Sequence, residues 1–382
     1  MDNSLKKIIT DSFASLSKAF HSEKKSNSAI GIDIGSSAIK IVQLAKKNGK
    51  AVLETYGAIS LGPYANNDIG AITNLKSDDL SKALADLMKE SNTTINSGAL
   101  AIPSSASLIF TISLPAKISE EELATVVPIE ARKYIPVPMN EVTLDWIIIP
   151  NEPESYKTND NAIVPKKEEI ESKVEVLVIA IHNEIIERYR EVLTKTNIHS
   201  ESFEMEIFGS IRSSFGHELT PILLIDFGAS KTKISIVETG VVHVFHVVNR
   251  GSSDITRNIS QAMGISFAEA EKLKCFVGLN KDKNQQVAEI ILSSIDYIFS
   301  DVNNVVFAFE KRYNKNISKI IFTGGGSLLD GLLEKAQVNF STEIILADPF
   351  QRTEAPAFLM PILKTSGPEF SVAIGLALRQ LS

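Results

Sequence analysis

One short pattern occurs twice in this chain, and that repetition constrains the fold more than any other feature. Gly31-Ile32-Asp33-Ile34-Gly35-Ser36-Ser37-Ala38-Ile39-Lys40 returns as Leu224-Ile225-Asp226-Phe227-Gly228-Ala229-Ser230-Lys231-Thr232-Lys233. Each copy is an apolar run ending in Asp, an apolar residue, Gly, a small residue and Ser, after which apolar or β-branched residues resume. That order reads as strand, tight turn, strand. At 382 residues the chain exceeds what one hydrophobic core usually supports, so the repeat predicts two related halves.

The turn has a chemical use. Gly and Ser put no bulk beyond Cβ in the way, so backbone N–H groups can approach phosphate oxygens. An Asp at the end of each strand, Asp33 and Asp226, can hold the water shell of Mg²⁺, which keeps several waters and takes few carboxylates. Lys40, just past the first turn, can reach toward terminal phosphates as a point charge. Asp and Gly dominate ordinary turns, so either copy alone would read equally well as a hairpin. The matched pair argues against that.

Composition excludes some functions. A net charge of −7 argues against a broad electrostatic footprint for nucleic acid. Cys275 is the only cysteine, which rules out an intrachain disulfide, fits a reducing cytosolic setting and is expected to be a small buried residue. No apolar run is long enough to predict a membrane span. The segment 1–28 lacks a signal-peptide core, but Leu5, Ile8, Ile9, Phe13, Leu16 and Phe20 recur at helical spacing among lysines. It reads as a basic amphipathic helix for an anionic membrane face, or as a frayed or disordered terminus.

In chain order, strands are predicted at 38–44 and 51–60, joined by an Asn48-Gly49 hairpin, then a helix at 78–90 and a strand at 98–103. Residues 29–106 make the first half. A separate small α/β unit is expected over 107–205. It comprises a strand at 108–114, a helix opened by the Ser119/Glu122 capping box and running to about Ile135, strands at 141–149 and 173–181, and a helix at 183–196. The stretch 150–172 is polar and aperiodic and reads as a solvated excursion. A helix at 202–213 is expected next, with Gly209 permitting close packing and Glu204 or Glu206 facing a cleft. The second half, 206–382, repeats the strand meander with Thr239-Gly240 at its hairpin, and carries a helical subdomain at about 251–315 whose long helix spans 285–313. His243 and His246 fall on opposite faces of a strand and do not form a metal pair.

A third stretch, Ile320-Ile321-Phe322-Thr323-Gly324-Gly325-Gly326-Ser327, is an apolar strand ending in three glycines, with a helix expected to follow at once. Bare backbone and a helix N-terminus there would suit a nucleotide. The terminal helix at 371–381 carries Gly375, which permits close approach to a neighbour. No Walker-type phosphate loop is present in the sequence.

In that order, Asp33 to Ser37, Asp226 to Ser230 and Thr323 to Ser327 resemble the first phosphate, second phosphate and adenosine motifs of the actin-like ATPase superfamily, which includes actin, MreB, FtsA, DnaK-type chaperones and sugar kinases. Within it, residues 31–44, Glu130-Ala131-Arg132-Lys133-Tyr134-Ile135-Pro136 and Glu269-Ala270-Glu271-Lys272-Leu273-Lys274 resemble the PilM family of type IV pilus assembly proteins. The resemblance implies an α/β actin-like ATPase fold: two duplicated ribonuclease-H-like domains around a nucleotide cleft, with an FtsA-type small α/β subdomain inserted in the first half. It implies ATP and Mg²⁺ as ligands. Asp33 and Asp226 would organise the metal through water. Gly35, Ser36, Ser37, Lys40, Gly228, Ala229 and Ser230 would wrap the phosphates. Gly324, Gly325, Gly326, Glu271 and Lys274 would face the adenosine. Glu204 or Glu206 would occupy the position from which some relatives direct the attacking water.

The family further implies a cytoplasmic adaptor, peripheral on the inner membrane, that binds the N-terminal cytoplasmic tail of a PilN-like bitopic membrane protein. Such an adaptor couples indirectly to the pilus platform and motor ATPases, does not bind nucleic acid, can form homo-oligomers and is at most a slow ATPase. An FtsA-like polymer-forming division or cytoskeletal protein, and a small-molecule kinase on the same fold, are the alternative readings.

Overall fold

The computed structural model describes residues 27–115, 118–149, 173–216 and 218–382. The expected amphipathic terminus and the polar stretch 150–172 lie outside these residues. The chain divides into two compact units, one containing residues 105–186 and one containing residues 27–104 and 187–382.

The larger unit is built on two sheets of the same design. The first holds β1 (Ser28–Ile34), β2 (Ala38–Lys47), β3 (Lys50–Ser60), β4 (Ser97–Ile102) and β8 (His199–Met205) in the order β3-β2-β1-β4-β8. The second holds β9 (Ile222–Phe227), β10 (Thr232–Glu238), β11 (Val241–Val248), β12 (Lys319–Thr323) and β13 (Glu343–Leu346) in the order β11-β10-β9-β12-β13. In both, an antiparallel meander is followed by parallel additions to its first strand. The duplication therefore extends from a motif to a whole topology. Both hairpin tips use paired positive φ angles, Asn48 with Gly49 and Thr239 with Gly240, the requirement of a type I′ turn.

Helices cover these sheets in a crossed arrangement. Helix α1 (Ser77–Glu90) buries Leu80, Ala83, Leu84 and Leu87 and packs on β2 and β3. Helix α3 (Asn183–Lys195) precedes β8, and α4 (Glu206–Ser214) follows it. Ile211 and Phe215, at the end of α4, pack on Ile222, Leu224 and Ile321 of the second sheet. Helix α10 (Ser371–Gln380) returns to the first sheet, placing Ala373, Ile374 and Ala377 against Ala29, Val42 and Leu44. Where α4 and α10 meet, a Cβ on Gly375 would lie 1.9 Å from the Gly209 carbonyl oxygen, so the crossing depends on glycine. The close packing expected of both glycines is one contact.

On the other face of the second sheet lie α5 (Ser252–Met263), α6 (Phe267–Val277), α7 (Gln285–Tyr313) and α8 (Leu332–Asn339). Helix α7 is long and apolar enough to cross a bilayer by length and composition. Its stripe of Ile291, Ile295, Ile298, Phe299, Val302 and Phe309 is instead the core against Leu223, Ile225, Ile234 and Phe322. At about 1.5–3 kcal/mol for each such fully buried side chain, that packing makes α7 the main scaffold of this half. A short helix, α9 (Met360–Ser366), precedes α10.

The smaller unit is a three-stranded antiparallel sheet, β5 (Ser107–Pro115), β7 (Lys173–His182) and β6 (Val142–Ile149), in the order β5-β7-β6. Helix α2 (Glu120–Ala131) packs Leu123, Val127 and Ala131 on Ile112, Leu114, Val176 and Val178. The capping box at Ser119 and Glu122 is formed.

Several expectations need correcting. Helix α2 stops at Ala131, not near Ile135: residues 132–134 already form turns, and Pro136 keeps Ile135 out of helical backbone. The small unit was expected to reach residue 205, but its sheet ends with β7 and the next strand pairs in parallel with β4. The helix expected at 202–213 is strand β8 up to Met205 and helix only from Glu206. Phe203, Ile207 and Ile211 fit a helical period across that junction, which hid the break. Cys275 is exposed, on the outer side of α6 beside the exposed Phe276. No helix starts directly at the three glycines: a 3₁₀ turn (Gly325–Leu328), extended Leu329 and Gly331 at φ 83° precede α8.

Candidate functional site

The two Asp-Gly turns are built alike. In the first, the Gly35 N–H donates to the Ala38 carbonyl at 3.0 Å; in the second, the Gly228 N–H donates to Lys231 at 3.1 Å. Both turns are tied from behind through their carbonyls. Ser36 and Ser37 accept from the N–H groups of Thr73 and Leu61, while Gly228 and Ala229 accept from Ser252 and Ser253 at the start of α5. Among the described residues none accepts from the N–H groups of Ser36, Ser37, Ala229 or Ser230. Those half-buried donors remain open to an anion.

Antiparallel register places a lysine opposite each aspartate. Asp33 pairs with Lys40 across β1 and β2, and Asp226 pairs with Lys233 across β9 and β10. The ammonium of Lys40 stands 3.5 Å from Asp33 Oδ2, and that of Lys233 stands 3.0 Å from Asp226 Oδ2. Glu206, the first residue of α4, joins them: its Oε2 accepts from Lys233 at 2.8 Å and its Oε1 from the Ser104 N–H at 2.6 Å. Three buried carboxylates and two lysines thus form one electrostatic cluster.

Burial pushes the Asp33 carboxyl above the usual carboxylate value; Lys40 opposes this, Glu206 adds to it, Lys233 opposes it and Asp226 adds to it. For Lys233, burial alone would depress the ammonium, but Asp226, Glu206 and Asp33 together drive it well above the usual lysine value. Tyr189 of α3 is buried within reach of the same field: burial raises its hydroxyl, Arg188 opposes, and Glu206 and Asp33 reinforce.

The glycine turn after β12 lies directly over this cluster. Thr323 is in parallel register with Asp226, and a Cβ on Gly324, at φ 82°, would sit 2.5 Å from Asp226 Oδ1. A Cβ on Gly326 would strike the Phe227 ring at 2.7 Å. Gly325 is less confined, with the Glu369 side chain at 3.4 Å. The glycines at 324 and 326 let one turn close over the other.

Glu271 and Lys274 stand apart from the carboxylate cluster, at the α5–α6 junction. The buried Lys274 ammonium donates to Ser252 O, Thr256 Oγ1 and Glu271 Oε2 at 3.2, 3.0 and 2.8 Å. It holds the junction by which α5 reaches the second turn. Glu271 also accepts from Thr256 and lies against Gly70, whose carbonyl accepts from Ser253 Oγ at 2.8 Å. Glu204 is not brought into the cluster. Arg212 grips it with both nitrogens, at 3.0 and 2.6 Å, and Arg379 approaches at 3.3 Å. It fastens β8 and α4 to the C-terminal helix.

Sequence reasoning passed over two members of this site. Lys233 had a signal available, since it follows Asp226 at the spacing by which Lys40 follows Asp33. Tyr189 had none, because only tertiary packing brings α3 there. The donor set suits a hydrated divalent cation with a polyphosphate: two carboxylates from facing strand ends, two lysines and two open N–H turns. Asp33 and Asp226 would hold the cation, which would supply charge neutralisation, and the turns would hold the phosphates. His243 is buried and His246 exposed, as opposite faces require; among the described residues no group of three His, Cys, Asp or Glu side chains is gathered as a metal site.

The fold is that of the actin-like ATPases. The structure superposes on that of a PilM–PilN type IV pilus biogenesis complex with a TM-score of 0.76, at 21% identity, covering 94% of this chain and 100% of that one. The ethanolamine utilization protein EutJ from Carboxydothermus hydrogenoformans follows at a TM-score of 0.53 and 12% identity, with 99% of each chain covered. Among curated sequences, cell division protein FtsA of Escherichia coli (strain K12) is 21% identical over 241 residues, 54% of this chain and 55% of that protein. The chain thus spans about half the length of the curated relatives it matches. The family model for type IV pilus assembly protein PilM matches residues 31–381, and this chain belongs to that family.

Proposed function

We propose that this chain is a nucleotide-responsive adaptor of a type IV pilus inner-membrane platform. ATP with Mg²⁺ occupies the cluster between the two halves of the larger unit, and nucleotide occupancy sets how well a PilN-like tail is bound. The observation that carries the reading is the convergence of Asp33, Lys40, Asp226, Lys233 and Glu206 beneath two turns with open N–H groups. Family membership supports the pilus setting, and the PilM–PilN complex supports the class of partner.

In this reading Ser36, Ser37, Ala229 and Ser230 bind phosphate oxygens through their backbone. Asp33 and Asp226 would hold the cation, and Lys40 and Lys233, now paired with those carboxylates, would be the cations nearest the phosphates. Glu206 rather than Glu204 would orient a water, because Glu206 belongs to the carboxylate cluster while Glu204 is held outside it by two arginines. The protein works on the cytoplasmic face of the inner membrane. Hydrolysis, where it occurs, is slow.

Equilibrium binding of Mg²⁺-ATP to the full chain tests this. Asp226→Asn is expected to weaken it by about tenfold or more, the loss of one charge-assisted contact, with the residual affinity less dependent on Mg²⁺ because Asp33 alone remains to hold the cation. Equal, Mg²⁺-dependent binding by both proteins would remove Asp226 from the site.

A further inference from the structure

Away from the nucleotide cluster, the larger unit carries a groove of about 510 Å³ between the β2–β3 hairpin, the 3₁₀ turn Pro349–Arg352 and the C-terminal end of α10. Ala51, Leu378 and Leu381 give it an apolar floor, and Lys46, Lys50 and Arg352 line it with positive charge. On a chain of net charge −7 this is a local inversion of sign.

The three cations are differently committed. Lys46 donates to the carbonyl of Leu381 at 2.7 Å, which leaves its charge unneutralised. Lys50 pairs with Glu354, the carboxylate on the same wall, and both are exposed, so that pair is weak and exchangeable. Arg352 has no carboxylate within ion-pair distance among the described residues, and its guanidinium lies beside Gly216, where a Cβ would stand 3.5 Å from Nη2. Partial burial without a counter-charge depresses its basicity. A guanidinium left without a carboxylate partner is free to take one from an incoming ligand.

We propose that this groove binds an acidic peptide segment of a partner protein, one carboxylate forming a fork with Arg352 and apolar side chains resting on Ala51, Leu378 and Leu381. A planar fork beside an apolar floor fits a chain of alternating acidic and apolar residues. The inference stands apart from the nucleotide reading, since no group in the groove belongs to the phosphate cluster.

Fluorescence anisotropy of a labelled, acetylated peptide of alternating Glu and Leu, titrated with the full chain, is the test; the matching Lys and Leu peptide is the control. The acidic peptide is expected to bind saturably and more weakly as salt rises. Arg352→Gln is expected to loosen it by about tenfold, and Arg352→Lys by less, because lysine keeps the charge but loses the fork. Thermal unfolding of both variants should match that of the parent, since the side chain is exposed. Equal affinity for Arg352→Gln, or no saturable binding of the acidic peptide, would overturn the proposal. Co-sedimentation with phosphatidylglycerol vesicles, lost in Arg352→Gln and unaccompanied by peptide binding, would overturn it in favour of a lipid surface.

Discussion

At the scale of the residue, Asp33 shows how the site sets function against stability. Its carboxyl is buried and held above the usual value of 3.8, so ionisation is less favourable in the folded than in the unfolded chain. A raised pKa of this kind contributes stability that is complete below the unfolded value and is lost as pH climbs through the folded one. Near neutral pH the native protein therefore carries the cost of that charge. Asp33→Asn removes it. In the absence of nucleotide the variant is expected to unfold at the same or a higher temperature than the parent near neutral pH, with the difference closing as pH falls toward 3.8. It should at the same time lose Mg²⁺-ATP affinity. Calorimetric unfolding across pH measures the first and titration the second. A variant clearly less stable near neutral pH would mean that the Lys40 ion pair outweighs burial.

At the scale of the element, the crossing of α4 and α10 ties the two halves together. Gly375 and Gly209 bring the helix backbones into contact, and the Glu204–Arg212 fork, with Arg212 also donating to the Gly375 carbonyl at 2.9 Å, fastens the same point. Gly375→Ala puts a methyl 1.9 Å from a carbonyl oxygen that cannot move alone. It is expected to cost at least about 3 kcal/mol, at the upper end for overpacked sites, despite the better helix propensity of alanine. Denaturant unfolding checks this, and a loss below about 1 kcal/mol would show that the helices can part without penalty.

What the sequence made legible divides at the same scale. Asp33, Gly35, Asp226 and Gly228 were readable because local chemistry dictates them: a carboxylate at a strand end, a turn that admits no bulk. Strands β1 to β4 and β9 to β12, and the long helix α7, follow from periodicity and turn residues. Strand β8 was not legible, since Phe203, Ile207 and Ile211 keep a helical period across its junction with α4 and the partners of its Glu204, Arg212 and the distant Arg379, are assigned only by the packing. Tyr189 was hidden for the same reason: its role depends on which sheet its helix lies against.

At the scale of the whole molecule, the second sheet repeats the first strand for strand, so the account reduces to two copies of one turn with open N–H groups facing a shared carboxylate cluster. Such an arrangement is useful to an adaptor only if nucleotide binds one state of the protein better than another, for otherwise it shifts no equilibrium. Sedimentation with and without Mg²⁺-ATP separates this account from the FtsA-like polymer reading. A monomer or small oligomer under both conditions is expected, and ATP-dependent pelleting would favour the polymer. The most direct measurement is calorimetric titration of Mg²⁺-ATP into the full chain, alone and saturated with a peptide from the cytoplasmic tail of the proposed PilN-like membrane protein. The account predicts that ATP binds, that its affinity shifts by about fivefold or more when the peptide is present, and that the peptide's affinity shifts by the same factor when ATP is present. Binding of both with no mutual effect would contradict it.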